Sequence, residues 1–259
     1  MKRREFVTLL GGTVATWPLA VHAQQQAMPV IGFLGSTSLQ GYSARLRAFG
    51  QGLKEEGYID GQNVAIEYRF AEDHDDRLPA LAAELVHREV KVIAAGGSPA
   101  SVAAKAATAT IPIVFETASD PVQLGLVASL DRPGGNVTGI TNLNIEVAPK
   151  RLQLLHELIP NASVFALLVN PANPTLAETN TKGLQAAARD LGLELQVLNA
   201  STEGDFDAVF AKLVELRAGG LVIGDDPFFV GHIKQLAALS VRHGLPAAHD
   251  LREFVAPAA

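Results

Sequence analysis

Cysteine is absent from the 259 residues, which excludes disulfides, thiolate metal sites and any lipoprotein anchored through a modified cysteine. Long apolar runs are scarce as well. The one of note, Phe6 to Ala20, has 15 residues, is interrupted by Pro18 and falls short of the ~20 that a membrane-spanning helix needs. Positive charge is in deficit: 21 Lys and Arg face 27 Asp and Glu, for a net charge of −6. Such a surface repels phosphate backbones, so no nucleic-acid partner is expected. No GxGxxG follows the first strand, no Walker lysine is present, and the histidines lack HExxH spacing. Neither a nucleotide, a metal nor another cofactor is therefore expected.

What is present begins with "MKRREFVTLLGG". Lys2, Arg3 and Arg4 form a basic segment ahead of the apolar run, and the small residue Ala23 offers a cleavage site before Gln24. Arg3-Arg4 followed by Glu5-Phe6-Val7 resembles a twin-arginine export signal, with a plain secretory signal as the competing reading. Residues 1–23 are thus expected to be an address, removed to leave a periplasmic product. The charged residues in that segment carry +2, so the remaining 236 residues carry −8.

Along the rest of the chain, short β-branched runs alternate with helical spacing. Strands are expected at Val30 to Leu34, Val64 to Tyr68, Val90 to Ala94, Ile111 to Phe115, Val137 to Ile140, Val164 to Val169, Leu193 to Leu198 and Leu221 to Ile223. Several are continuously apolar, as strands buried on both faces must be. Leu46, Phe49 and Leu53 repeat at helical spacing, as do Leu176, Leu184, Ala187 and Leu191. This alternation predicts an α/β fold of two doubly wound parallel-sheet lobes with a cleft between them. The break is placed near "TNLNIEVAPK", giving lobe one at 24–143, lobe two at 144–245, and the start of a crossing back to lobe one at 246–259.

Four strand-to-helix loops share one pattern: "GGSPAS", "TASDPVQ", "NPANPTL" and "GDDPFFV". In each, Ser98, Asp120, Asn173 or Asp226 is followed by proline, the combination that caps and opens a helix. Ligands of open α/β sheets bind outside the carboxyl ends of the strands, where these loops fall. Helix starts suit a carboxylate, and Asp120, Asp225 or Asp226 suits an ammonium, so an amino acid matches the pair. Tyr42, Phe115, Phe228 and Phe229 lie near the same loops and offer rings to stack on, although Phe115 is better read as core.

The runs "VIGFLGSTS", "GLKEEGYIDGQNVAIEYRFAE", "AAGGSPAS", "IPIVFETASDPVQLGLVASLDRPGGNVTGIT", "LLHELIPNASVFALLVNPANP" and "HDLREFV" resemble the periplasmic substrate-binding components of ABC transporters. The resemblance covers residues 29 to 255 and is to the branch that includes binders of aromatic amino acids, with a type I periplasmic-binding-protein fold. It implies a small-molecule ligand, an ABC permease in the inner membrane as partner, and a monomer that closes about a hinge. It places Ser36, Thr37, Ser38, Gly97, Ser98, Thr117 and Asp120 on the lobe-one side of the cleft. Asn170, Asn173, Asp225 and Asp226 face them from lobe two. Members of the family continue past "REF" with segments returning to lobe one, whereas this chain stops at "REFVAPAA", so lobe one is expected to lack its last segment.

Two other functions were weighed on the same residues. A sensor feeding a membrane receptor would need the same cleft. A hydrolase would take Ser98 as nucleophile, with Asp225 and His249 following in hydrolase order. Pro99, however, has no N–H to donate to an oxyanion, so no enzyme is expected. The acidic run "EDHDD", Glu72 to Asp76, reads as solvated residues capping the helix that follows. Asn136 in "NVT" reads as the start of a strand.

Overall fold

The computed structural model describes residues 28–255, so the expected export signal at 1–23 and the last four residues lie outside the described part. Five strands form the first sheet: β1 (Val30–Gly35), β2 (Ala65–Phe70), β3 (Val92–Gly96), β4 (Ile113–Thr117) and β5 (Val137–Thr141). All neighbours are parallel and the order is β2-β1-β3-β4-β5. The second sheet contains β6 (Val164–Val169), β7 (Glu194–Asn199), β8 (Gly220–Ile223) and β9 (Ala247–Ala248), also parallel, in the order β7-β6-β8-β9. Both sheets are therefore wound the same way, each reversing direction beside its first strand. The two α/β lobes read from the alternation of strands and helices are present.

Helices cover the sheets because their apolar faces have nowhere else to go. In lobe one, α1 (Ser43–Glu55) packs Leu46 and Phe49 on Phe33, while α2 (Leu78–His87) and α3 (Ser98–Ala107) bury Leu78, Leu85 and Ala104 on the opposite face. In lobe two, α4 (Ala148–Leu158) and α5 (Pro174–Leu191) cover one face through Leu152, Leu155 and Leu184. On the other face, α6 (Asp205–Glu215), α7 (Pro227–Gly231) and α8 (Ile233–Arg242) enclose Phe206, Phe210 and Phe229. No helix among the described residues is long and apolar enough to cross a membrane.

Each of the eight expected strands is found, with β2, β3, β4 and β7 displaced by one or two residues toward the C-terminus. Pairing sets those ends: Gly35 is in register with Gly96, so β3 runs on past Ala94. The two-residue β9 was not anticipated, since "AA" is too short to show any period. Because β9 pairs with β8, residues 247 and 248 belong to the lobe-two sheet, and the Arg252–Phe254 turn that follows packs Phe254 on the lobe-two core. The Glu72–Asp76 run also departs from expectation. A 3-10 turn, Asp75–Arg77, precedes α2, neither start has a side-chain cap, and Asp73 and Asp75 are half-buried.

Candidate functional site

In an open parallel sheet, the crevice lies where the winding reverses, because the loops leaving neighbouring strands depart to opposite faces there. Here those points fall after β1 and β3 in lobe one and after β6 and β8 in lobe two. The loops concerned carry Ser36 to Ser38, Gly97 and Ser98, Asn170, and Asp225 and Asp226. They meet across a cavity of ≈ 50 Å³, lined among others by Thr37, Gly97 and Ser98 from lobe one and by Asp225, Asp226 and Pro227 from lobe two. The lobes touch at this level. A Cβ on Gly231 would stand 2.8 Å from Thr37 Oγ1, and one on Gly41 would stand 3.1 Å from the Gly231 Cα. Glycine at both positions is what lets the two backbones come so close.

Tyr42 forms the floor on the lobe-one side. Its hydroxyl donates to the Gly96 carbonyl at 2.6 Å, and burial pushes its pKa far up. The ring fills space that side chains at 35, 96 and 97 would need, since added Cβ atoms there would come within 3.2 Å of it. Gly97 in addition has φ of +90°, open to glycine at little cost.

The four capping motifs divide into two kinds. Asp226 caps α7 by accepting from the Phe228 amide at 2.9 Å, and Asp120 accepts from the Val122 amide at 2.8 Å. Ser98 and Asn173 stand at helix starts without capping them. Ser98 Oγ instead bonds Thr117 Oγ1 at 2.5 Å and Ser119 Oγ at 3.3 Å, and Asn173 Nδ2 is buried with no protein partner. The capping account therefore covers Asp226 and Asp120 but neither Ser98 nor Asn173. Asn173 and Ser98 also line a groove of ≈ 510 Å³ beside the central cavity, together with Asp75 and the apolar residues Pro99, Val102 and Leu124.

The other expected residues take different places. Ser38 lines a third hollow and its hydroxyl accepts from the Gly41 amide. Ser36 is buried behind the cavity with its Oγ unpartnered. Thr117 is buried under Ser98. Asn170 orients Asp226 by donating from Nδ2 to Oδ1 at 3.0 Å. Asp120 is not among the residues lining these three hollows, so its carboxylate serves the turn. Phe228 and Phe229 pack in the lobe-two core with Phe206, and Phe115 in that of lobe one, so none offers a face to a ligand.

A second group was missed from sequence. Arg151, on α4, is buried and places Nη2 at 2.6 Å from Asp225 Oδ2 and 2.6 Å from the Asn144 carbonyl; Nη1 stands 3.6 Å from Asp250 Oδ1. Asn144 also donates to Asp250, and His249 Nδ1 lies 2.9 Å from Asp250 Oδ1. Asn144 lies between β5 and α4, where the chain passes from lobe one to lobe two, Asp250 follows β9, and both line the cavity with Asp225. Burial raises the Asp225 pKa to about 6 against the pull of Arg151, while His249 helps hold Asp250 down at about 2. Asp225, His249 and Asp250 converge closely enough for a metal ion, but the Arg151 guanidinium already supplies their positive charge. The hydrolase order is likewise not assembled: the partners of Ser98 Oγ are hydroxyls, and His249 faces Asp250.

Two doubly wound lobes meeting over a polar cleft define a protein of the type I periplasmic-binding-protein class. Residues 30–250 match the family model of ABC transporter substrate-binding proteins, and the chain belongs to that family. It is similar to a tyrosine-binding protein of Clostridioides difficile, 31% identical over 173 residues, which are 65% of this chain. That match spans 48% of the relative's own length. Among solved structures, a conserved domain protein of Vibrio cholerae superposes with a TM-score of 0.76 at 24% identity, over 88% of this chain and 76% of that one. An ABC domain from Streptococcus pneumonia in complex with L-Trp gives 0.74 at 22% identity, over 88% and 75%.

Proposed function

We propose that this protein is the solute-binding component of an ABC importer, capturing a small amino-acid-like ligand by hinge closure and presenting the closed form to a membrane permease. The observation that carries this reading is the apposition of both switch points over one cavity, with a buried polar atom on each wall that makes no close hydrogen bond: Thr37 Oγ1 in lobe one and Asp226 Oδ2 in lobe two. Buried polar groups are normally satisfied, so such a set facing a cleft is what a ligand would complete. A cavity of ≈ 50 Å³ has room for a few water molecules and not for an amino acid, so the lobes must part for a ligand to pass. Asn144, between β5 of lobe one and α4 of lobe two, marks where the chain would bend.

In this reading the lobes are 24–143 and 144–248, residues 1–23 are an export signal removed after Ala23, and the mature protein is a periplasmic monomer. The ligand contacts are Thr37, Gly97, Ser98, Asn173, Asp225 and Asp226, with Ser36, Thr117 and Asn170 holding them from behind. Closure requires no covalent chemistry. The names of the similar proteins point to aromatic amino acids as the first ligands to try. Thermal unfolding of the purified protein with a panel of amino acids, purines, small acids and sugars tests this, since a ligand of the native state raises the midpoint. One class of amino acid shifting the midpoint is the expected outcome. A shift by sugars or purines alone would overturn the ligand class.

A further inference from the structure

Residues 142–147 carry the chain from β5 of lobe one to α4 of lobe two, and they are fastened on both sides. Toward lobe one, the Asn142 amide donates to the Thr117 carbonyl at 3.3 Å and the Ile145 amide to the Ala118 carbonyl at 3.4 Å. Toward lobe two, the Asn144 carbonyl accepts from Arg151 Nη2 at 2.6 Å, and the Asn144 side-chain amide donates to Asp250 Oδ2. Leu143 stands between the bonds of Asn142 and those of Asn144, with φ of 50°. That left-handed conformation is unfavourable for a residue with a Cβ, and leucine has no short polar group to offset it. Such a conformation persists only where the surroundings impose it, and here the bonds on either side do so.

The lobe-two side has a second arrangement within reach. Arg151 Nη2 is taken by Asp225 and by the Asn144 carbonyl, whereas Nη1 is buried without a hydrogen bond, 3.6 Å from Asp250 Oδ1. A small rotation of Asp250 would close that gap. A carboxylate that lost Asn144 would thus gain the guanidinium, and neither charge would be stranded where water is scarce. His249 Nδ1, 2.9 Å from Asp250 Oδ1, flanks the same carboxylate.

We propose that Leu143, Asn144, Asp250 and Arg151 form a toggle that sets how readily the lobes part. With Asn144 on Asp250, Leu143 is kept left-handed and the lobes stay together. With Asn144 released, Asp250 pairs with Arg151 Nη1, Leu143 returns to negative φ, and the turn at that residue swings one lobe from the other. Strain at Leu143 favours opening and the Asn144 bond favours closure, so the two oppose each other and a ligand's preference for one state can decide between them. Arg151 and Asp250 are positioning residues in this device, since they act through Asn144 and Leu143. The inference rests on the reading of hinge closure and names the residues that set its balance.

The test measures the separation of the lobes in the full chain without ligand. The sequence has no cysteine, so nitroxide labels on Gln40→Cys of lobe one and Gln235→Cys of lobe two report that separation by electron paramagnetic resonance; both positions are exposed and line one hollow between the lobes. Asn144→Ala removes the side-chain bond to Asp250 and is expected to raise the ratio of long to short distances about tenfold. Leu143→Gly removes the strain and should lower that ratio by a similar factor. A crossing that only holds the fold together would change the unfolding midpoint and leave the ratio alone. That result, or a shift in the same direction in both variants, overturns the toggle. Adding L-tyrosine separates its failure from failure of the ligand reading. If L-tyrosine shortens the distance while both variants match the labelled parent, closure stands and the toggle falls. If the variants shift in opposite directions but no amino acid changes the distance, the toggle stands and the amino-acid ligand falls.

Discussion

Arg151 balances two carboxylates in a place where water is scarce, and that sets what its loss would do. Removing one partner of a buried ion pair strands the other, which typically costs about 3–5 kcal/mol. Arg151→Ala should therefore lower stability by roughly that amount, read from urea unfolding. Loss of less than about 1 kcal/mol would mean that Asp225 simply takes up a proton, as its raised pKa allows. Tyr42→Phe removes a single hydroxyl whose bond to the Gly96 carbonyl is buried, and should cost about 1 kcal/mol. The pH dependence follows from Asp75 and Asp226, raised to about 7 and about 6. A carboxyl whose folded pKa lies above its unfolded value stabilises the fold at low pH, and that contribution is lost as pH rises through the folded value. Stability should thus decline between about pH 4 and pH 8, with a shallower slope in Asp75→Asn. These residues also show where sequence reading ends. Prolines after Ser98, Asp120, Asn173 and Asp226 mark loop ends from local chemistry alone. Whether the preceding side chain caps or turns elsewhere depends on partners outside the loop, as Ser98 Oγ does on Thr117 and Ser119 from the next strand and its loop. Arg151 carries no local mark, because its carboxylate partners, Asp225 and Asp250, lie far along the chain.

At the level of elements, both sheets owe their order to continuous apolar strands and to helices with a single apolar stripe, and this much is written in the spacing of Val, Ile and Leu. β6, with "VFALLV", begins and ends where its composition changes. β9 has no such mark and exists because β8 offers it an edge. β5 shows how tightly one element rests on the next. A Cβ at Gly139 would lie 2.2 Å from the Phe115 carbonyl oxygen, a backbone atom with little freedom to withdraw. Gly139→Ala should therefore displace β5 and destabilise lobe one by about 1–3 kcal/mol, measured by chemical unfolding. An unchanged midpoint would mean that β5 is free to shift along β4.

For the whole molecule, the relation between the lobes matters more than either lobe. The chain has no cysteine to interfere, so Ser38→Cys with Lys234→Cys places one thiol on each lobe at the hollow between them. Joining them with a reducible bis-thiol crosslinker should fasten the lobes together, and the fastened protein is expected to neither admit nor release ligand until reduced, as followed by equilibrium dialysis. Ligand exchange at an unchanged rate after crosslinking would show that passage does not need the lobes to part.

The contact between Gly41, Thr37 and Gly231 has one more consequence. In the proposed reading it stabilises the closed form, and through Thr37 it reaches the cavity wall where a ligand would lie. Apparent affinity is the intrinsic affinity scaled by the share of molecules able to close, and each tenfold change in that share is worth about 1.4 kcal/mol. A methyl group at Gly231 would thus weaken every ligand, and most of all those that rest on Thr37. Selectivity and strength of capture would then share a residue, and neither could drift under selection without touching the other.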